Sequence, residues 1–211
     1  MNRKIGAVSS IVNICAVTAF AVCMPFQFLF GDYLSSVLIA LSFVPLIGAL
    51  AERGKPESKT AGYIAMSFAG MYAVVIILVY FAQMTTVRLD SLSEQAASLL
   101  DYSKFGLFFN YDLLGYCFMA LSTFFAGLTV RVDTKMDKAL KWLLLIHGIF
   151  AVGCFILPMT GAFSADTAGA EWIGTAILEF WCVYFIPVGI LSLIHFKRAC
   201  PPCILPLTRE A

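Results

Sequence analysis

Long apolar runs alternate with short polar links along the entire chain. Six segments, at residues 5–30, 34–51, 62–87, 107–130, 139–160 and 172–196, are apolar enough to enter a bilayer. Each is long enough to cross about 30 Å of hydrocarbon as a helix rising about 1.5 Å per residue. The pattern predicts an all-α polytopic membrane protein, a bundle of six transmembrane helices over residues 1–198 with a tail at 199–211. Pro25, Pro45, Pro158 and Pro187 fall inside these segments, and Pro187, far from either helix end, is where a bend is expected. Arg3, Lys4 and the run up to Ala19-Phe20-Ala21 resemble a cleavable leader. The apolar run continues to Phe30, so the segment reads as a retained first helix.

The links differ in character. Gly31, Asp32 and Tyr33 read as a tight turn, which makes the first two helices antiparallel neighbours. The longest link joins the third and fourth segments. In it Ser91-Leu92-Ser93-Glu94 has the spacing of a capping box, and Leu92, Ala96, Leu99 and Leu100 recur at helical intervals. A short amphipathic surface helix is expected there, either a connector or a lid over an outer cavity. Ala65 with Ala69, Ala69 with Ala73, and Ser122 with Ala126 have the spacing of close helix contacts.

Composition agrees with this pattern: 61% of the 211 residues are hydrophobic and 13% charged, with mean hydropathy +0.89. Six crossings use nearly the whole length and leave no room for a soluble domain. A net charge of +1 gives no reason to expect nucleic acid as a partner. The charge distribution says more than the sum. Of 14 basic residues, Arg88 and Lys104 alone fall in links on one side. The rest lie at the N-terminus, between segments two and three, between or next to segments four and five, and in the tail. By the positive-inside rule both termini face the cytoplasm of a cell membrane.

Acidic groups inside the apolar segments carry the functional signal. Asp112 and Glu179 sit about five and seven residues into helices that run in the same direction, which places both in the outer half. No Lys or Arg lies at that depth. Two such acids are protonated, hydrated, or ready for a cationic ligand. Gln83, Asn110, Tyr111 and Thr175 are candidate companions, with Gln27 nearby. A deeper polar layer holds Asn13 and His147, with Cys154 seven residues beyond the histidine on the same face. His195, beside Lys197 and Arg198, reads as interfacial. No spacing of His, Cys, Asp or Glu suits a metal, and no glycine-rich phosphate loop or Gly-x-Ser-x-Gly elbow is present, so no cofactor is indicated. Five of seven cysteines lie in apolar segments as small core residues. The tail pair Cys200-Pro201-Pro202-Cys203 has disulfide spacing, but in polyproline geometry residues three apart stand about 9 Å apart, too far for a bridge.

The run Phe109-Asn110-Tyr111-Asp112-Leu113-Leu114-Gly115, with Phe124-Phe125-Ala126-Gly127-Leu128, resembles small six-helix bacterial integral membrane proteins. That resemblance implies the fold and carries no activity. Three functions follow from the residues themselves. The first is a polar pocket facing outward that binds or transports a small molecule or cation. The second is an enzyme using the intramembrane acids. The third is an accessory subunit, as a homo-oligomer or within a larger membrane complex, whose polar groups only join helices.

The charge distribution yields a direct test of topology. In a background without native cysteines, Gln95→Cys should react with an impermeant thiol reagent added to intact cells, and Lys55→Cys should not. The reverse pattern would show the opposite orientation.

Overall fold

The computed structural model describes residues 1–89, 91–161, 163 and 170–198. Among the described residues the chain is helical without strands. Six spans are long and apolar enough to cross a membrane: Asn2–Cys23, Leu29–Arg53, Pro56–Leu89, Leu107–Thr129, Lys135–Thr160 and Trp172–Lys197. The protein is thus an integral membrane protein built as a six-span helical bundle. Helices α1 (Asn2–Cys23), α2 (Leu29–Arg53), α3 (Lys59–Met84) and α5 (Leu107–Thr129) pack in succession. The short α4 (Glu94–Leu100) lies between α3 and α5 in sequence. Helices α6 (Lys135–His147) and α7 (Phe150–Thr160) lie on α5, and α8 (Ala170–Lys197) returns to α1 and α6.

Apolar residues occur all round these helices, because one side of each meets lipid and the other meets protein. Size and polarity separate the two sides. Leu38, Leu41, Val74, Leu78, Phe155 and Val183 are exposed, whereas Ser10, Ser36, Ala65, Ala69, Ser122 and Ala126 are buried. Small residues let backbones approach, which matters where lipid gives no hydrophobic drive for association. The buried serines first serve their own helices: Ser10 Oγ donates to the Gly6 carbonyl at 2.7 Å and Ser36 Oγ to the Asp32 carbonyl at 3.1 Å. Ser122 Oγ instead crosses from α5 to the Ala65 carbonyl of α3 at 2.8 Å, at one of the expected alanine positions.

Three boundaries depart from the apolar pattern. The first helix ends at Cys23, and α2 starts at Leu29. Asp32, expected in a turn, therefore lies in the first turn of α2, where a negative charge suits the helix dipole. The cap of α4 is Ser93, whose side chain accepts from the Ala96 amide at 3.3 Å, and not Ser91. The fifth span is broken. Between α6 and α7 the Gly148 and Ile149 amides bond three residues back, to Leu145 and Ile146, which tightens the helix over one turn. The tail at 199–211, including Cys200 and Cys203, lies outside the described residues.

At the end carrying the start of α1 and the end of α8, hereafter the basic face, charged groups tie the helices together. Arg3 of α1 donates to the Phe196 and Lys197 carbonyls at 3.1 and 2.7 Å, and Arg53 of α2 donates to the Arg198 carbonyl at 3.0 Å. Two guanidiniums thus cap the C-terminus of α8, where orphan carbonyls carry partial negative charge. His195, in the last turn of α8, is buried. Its Nδ1 lies 2.7 Å from Asp137 Oδ1, joining α8 to α6. Thr134, the N-cap of α6, donates to Asp137 Oδ2 at 2.7 Å and also bonds Arg198. Arg198 Nη1 itself stands 3.6 Å from Asp137 Oδ2.

The tightened turn generates a packing prediction. A Cβ added at Gly148 would stand 2.8 Å from Phe124 Cβ on α5, so the two backbones touch there. Gly148→Val should cost about 1–3 kcal/mol by overpacking, read from thermal unfolding in detergent. Gly153→Ala, with nothing within 4 Å, should be neutral or mildly stabilising.

Candidate functional site: an acidic, aromatic cavity at the far face

At the far face, opposite the basic one, the bundle is not filled. A cavity of about 350 Å³ opens there among α1, α2, α3, α5, α8 and the segment before α5. Aromatic rings make most of its wall: Phe20, Tyr33, Tyr80, Tyr102, Phe105 and Phe109. Asp32, Gln27, Ser103 and Thr175 add polar groups. No basic side chain lines it among the described residues. Arg88 lies outside, over the Phe30 ring at 5.3 Å from its centroid.

The backbone around the cavity is strained. Gln27 and Phe105, the two non-glycine residues with positive φ among those described, have φ of 53° and 54°, and both line it. The left-handed region costs an ordinary residue roughly 1–2 kcal/mol, so such positions persist only where surroundings enforce them. At Phe105 the enforcement is visible. Its amide closes onto the Tyr102 carbonyl at 3.3 Å, and its ring packs edge-on to Phe109 with centroids 4.8 Å apart.

Gln83 fixes the same segment from below. It is buried in α3, and its amide spends both ends on the passing backbone: Nε2 donates to the Leu100 carbonyl at 2.8 Å, and Oε1 accepts from the Tyr102 amide at 3.1 Å. Asp101 adds a local turn by accepting from the Ser103 amide at 2.9 Å. Tyr102, Ser103 and Phe105 are thereby presented to the cavity. The segment after α4 forms its wall, whereas α4 itself has no buried residue.

The acids are arranged differently from the expected pair. Asp112 is 1% exposed. Its Oδ1 has no partner, and neither does Oδ1 of Asp32 or Oε1 of Glu179. Asp32 lines the cavity, whereas Asp112 and Glu179 are not among its lining residues. Tyr72 packs on Tyr116 with ring centroids 6.2 Å apart, and Tyr80 on Tyr102 with centroids 6.0 Å apart. Desolvation, with Asp112 and Asp32 adding to it, holds the Tyr102 hydroxyl well above the ordinary tyrosine range, so it stays a neutral donor.

Most of the remaining sequence candidates lie elsewhere. Thr175 lines the cavity. Tyr111 is 44% exposed and packs on Phe108, away from the interior, and its neighbour Asn110 is half-buried. Asn13 belongs to the deeper layer, where Nδ2 donates to Ser42 Oγ at 3.0 Å and Oδ1 is unpartnered. His147 is enclosed at the break between α6 and α7. Trp181 Nε1 can only donate, and it lies 3.0 Å from His147 Nε2, so Nε2 accepts. Nδ1 then carries the hydrogen and donates to Thr123 Oγ1 at 2.7 Å, while Thr123 donates onward to the Ala120 carbonyl at 2.9 Å. The imidazole is neutral and fully engaged, a joint between α5, α6 and α8. Sequence reasoning passed over Asp32, Tyr80 and Tyr102. Asp32 was hidden by the turn reading, and buried tyrosines resemble any aromatic membrane residue until their hydroxyls are seen to converge.

Compared with family profiles, curated proteins and solved structures, the chain matches none.

The Gln83 clamp is open to test. Gln83→Leu keeps the volume and removes both bonds to the backbone. Its Tyr102 amide should exchange with deuterium faster than in the wild type, with a cost of about 1–3 kcal/mol for the orphaned groups. Unchanged exchange at 100–105 would mean that the segment holds itself.

Proposed function

We propose that this protein sits in the cell membrane with both termini in the cytoplasm and binds a small organic cation from outside in the far-face cavity. One observation supports this best: a carboxylate with an unpartnered oxygen, Asp32, stands in a cavity walled by aromatic rings and lined by no basic group. A quaternary or tertiary ammonium answers both features. Its charge offsets the acid, and its methyl groups lie against ring faces that attract cations. The volume, about 350 Å³, is at the lower end of ordinary small-ligand sites. The strained Gln27 and Phe105 fit the same reading, since energy held in a pocket wall is characteristic of binding positions.

Choline and its uncharged carbon isostere 3,3-dimethylbutan-1-ol separate charge recognition from mere cavity filling. Calorimetry on the purified protein in detergent should show choline binding and the isostere binding at least tenfold more weakly. Asp32→Asn should lose at least tenfold for choline, and Tyr102→Ala about 3- to 30-fold, the range for one desolvated cation–π contact. Equal affinity for the two ligands would reject a cation site.

A further inference from the structure

The basic face holds a second cavity, of about 250 Å³, between the start of α1 and the ends of α2 and α8. Asn2, Arg3, Ala49, Glu52, Arg53 and Phe196 line it. Its two guanidiniums cap α8, yet capping does not use them up. Arg3 spends Nε and Nη2 on the Phe196 and Lys197 carbonyls, and Arg53 spends Nη2 on the Arg198 carbonyl. Nη1 of Arg53 is enclosed and has no acceptor. Neither arginine forms an ion pair among the described residues. The adjacent Arg198 shows the contrast, since its Nη1 stands 3.6 Å from Asp137 Oδ2.

The charges around this cavity do not balance. The C-terminus of α8 presents about half a negative charge and the N-terminus of α1 about half a positive one, so the two dipole ends offset each other. Helix α1 begins with no side-chain cap and no acidic residue in its first turn. What remains is two full positive charges against one carboxylate, that of Glu52. Glu52 is exposed, pairs with neither arginine among the described residues, and also lines a neighbouring cleft with Lys55 and Lys59. The place therefore lacks an anion. A guanidinium fork matches the oxygens of phosphate, and an uncapped helix start adds amide donors beside it.

We propose that the basic-face cavity holds a phosphate group, either the headgroup phosphate of an anionic phospholipid or the same group on a free phosphate ester. The cavity sits at the ends of three spans, the level at which bilayer headgroups lie, and basic pockets between spans take such headgroups. Ala49 and Phe196 supply the apolar part of its lining. A phosphate held between Arg3 and Arg53 ties α1 directly to α2, whereas each arginine now reaches across only to α8. This site lies at the opposite end of the bundle from the cation cavity and does not depend on it.

The experiment compares a phosphate-bearing lipid with one that lacks the phosphate. Delipidated protein in maltoside is titrated with phosphatidylglycerol or with diacylglycerol, and bound copies are counted by native mass spectrometry. Inorganic phosphate is titrated separately by calorimetry. One phosphatidylglycerol should be retained tightly, and no diacylglycerol. Arg53→Gln should weaken that copy at least tenfold, the worth of charge-assisted hydrogen bonds. Because this change also removes a cap, Glu52→Gln separates binding from folding. It alters an exposed side chain and should tighten phosphatidylglycerol about 2- to 5-fold. Gln83→Leu, at the far face, should change nothing. Retention that inorganic phosphate does not disturb assigns the site to lipid. Inorganic phosphate that binds alone and displaces phosphatidylglycerol assigns it to free phosphate esters. Equal retention of the two lipids with no binding of inorganic phosphate overturns the inference, and so does retention insensitive to both Arg53→Gln and Glu52→Gln.

Discussion

A polar group in hydrocarbon has no water to return to, and the architecture of this bundle follows from where that debt is settled. Around His147 it is settled inside the chain: Trp181, His147 and Thr123 pass hydrogen bonds from α8 through α6 to α5 until the last one reaches a carbonyl. At the basic face, arginines end on the carbonyls of α8 and His195 ends on Asp137. Toward the far face the accounting stays open, with Asp32, Asp112 and Glu179 each keeping a buried oxygen without a partner. Groups left in that condition cost stability, which is why they mark function more reliably than polar groups that are satisfied.

The contrast divides the molecule lengthwise. One end is cross-tied by ionic and cap interactions among α1, α2, α6 and α8. The other end is held apart around a cavity whose aromatic wall depends on Gln83 and on a backbone strained at Phe105.

The fold was largely legible in the sequence because hydrophobic length is a one-dimensional property. Six apolar runs become six spans whatever their neighbours do, and Ala65, Ala69 and Ser122 announce a contact by spacing alone. Convergence is three-dimensional, and there the reading thinned. Asp112 and Glu179 stand out by depth, yet depth cannot say that Asp32, displaced from turn to helix by a few residues, is the acid that lines the cavity. His147 was visible as a polar residue in lipid, but its two partners come from α5 and α8, and no local pattern names them. Gln83 was found as a companion of the acids, and it turned out to hold backbone. The end of a helix depends on which residues find caps and contacts, which is why the start of α2 and the break in the fifth span escaped the apolar pattern.

That break also alters how the fifth span must be read. A turn closed three residues back advances about 120° per residue where an α-helix advances about 100°. The amides at 148, 149, 151 and 152 that bond in this way thus shift the angular phase of everything after them. Cys154, placed on the face of His147 by simple counting, is carried around toward Cys117 and Ala120 of α5, against which it packs. The span behaves as two helices with separate compass bearings: α6 is set by its ties to α8, and α7 by its seat on α5. A single wheel drawn through residues 135–160 would misplace half of its faces.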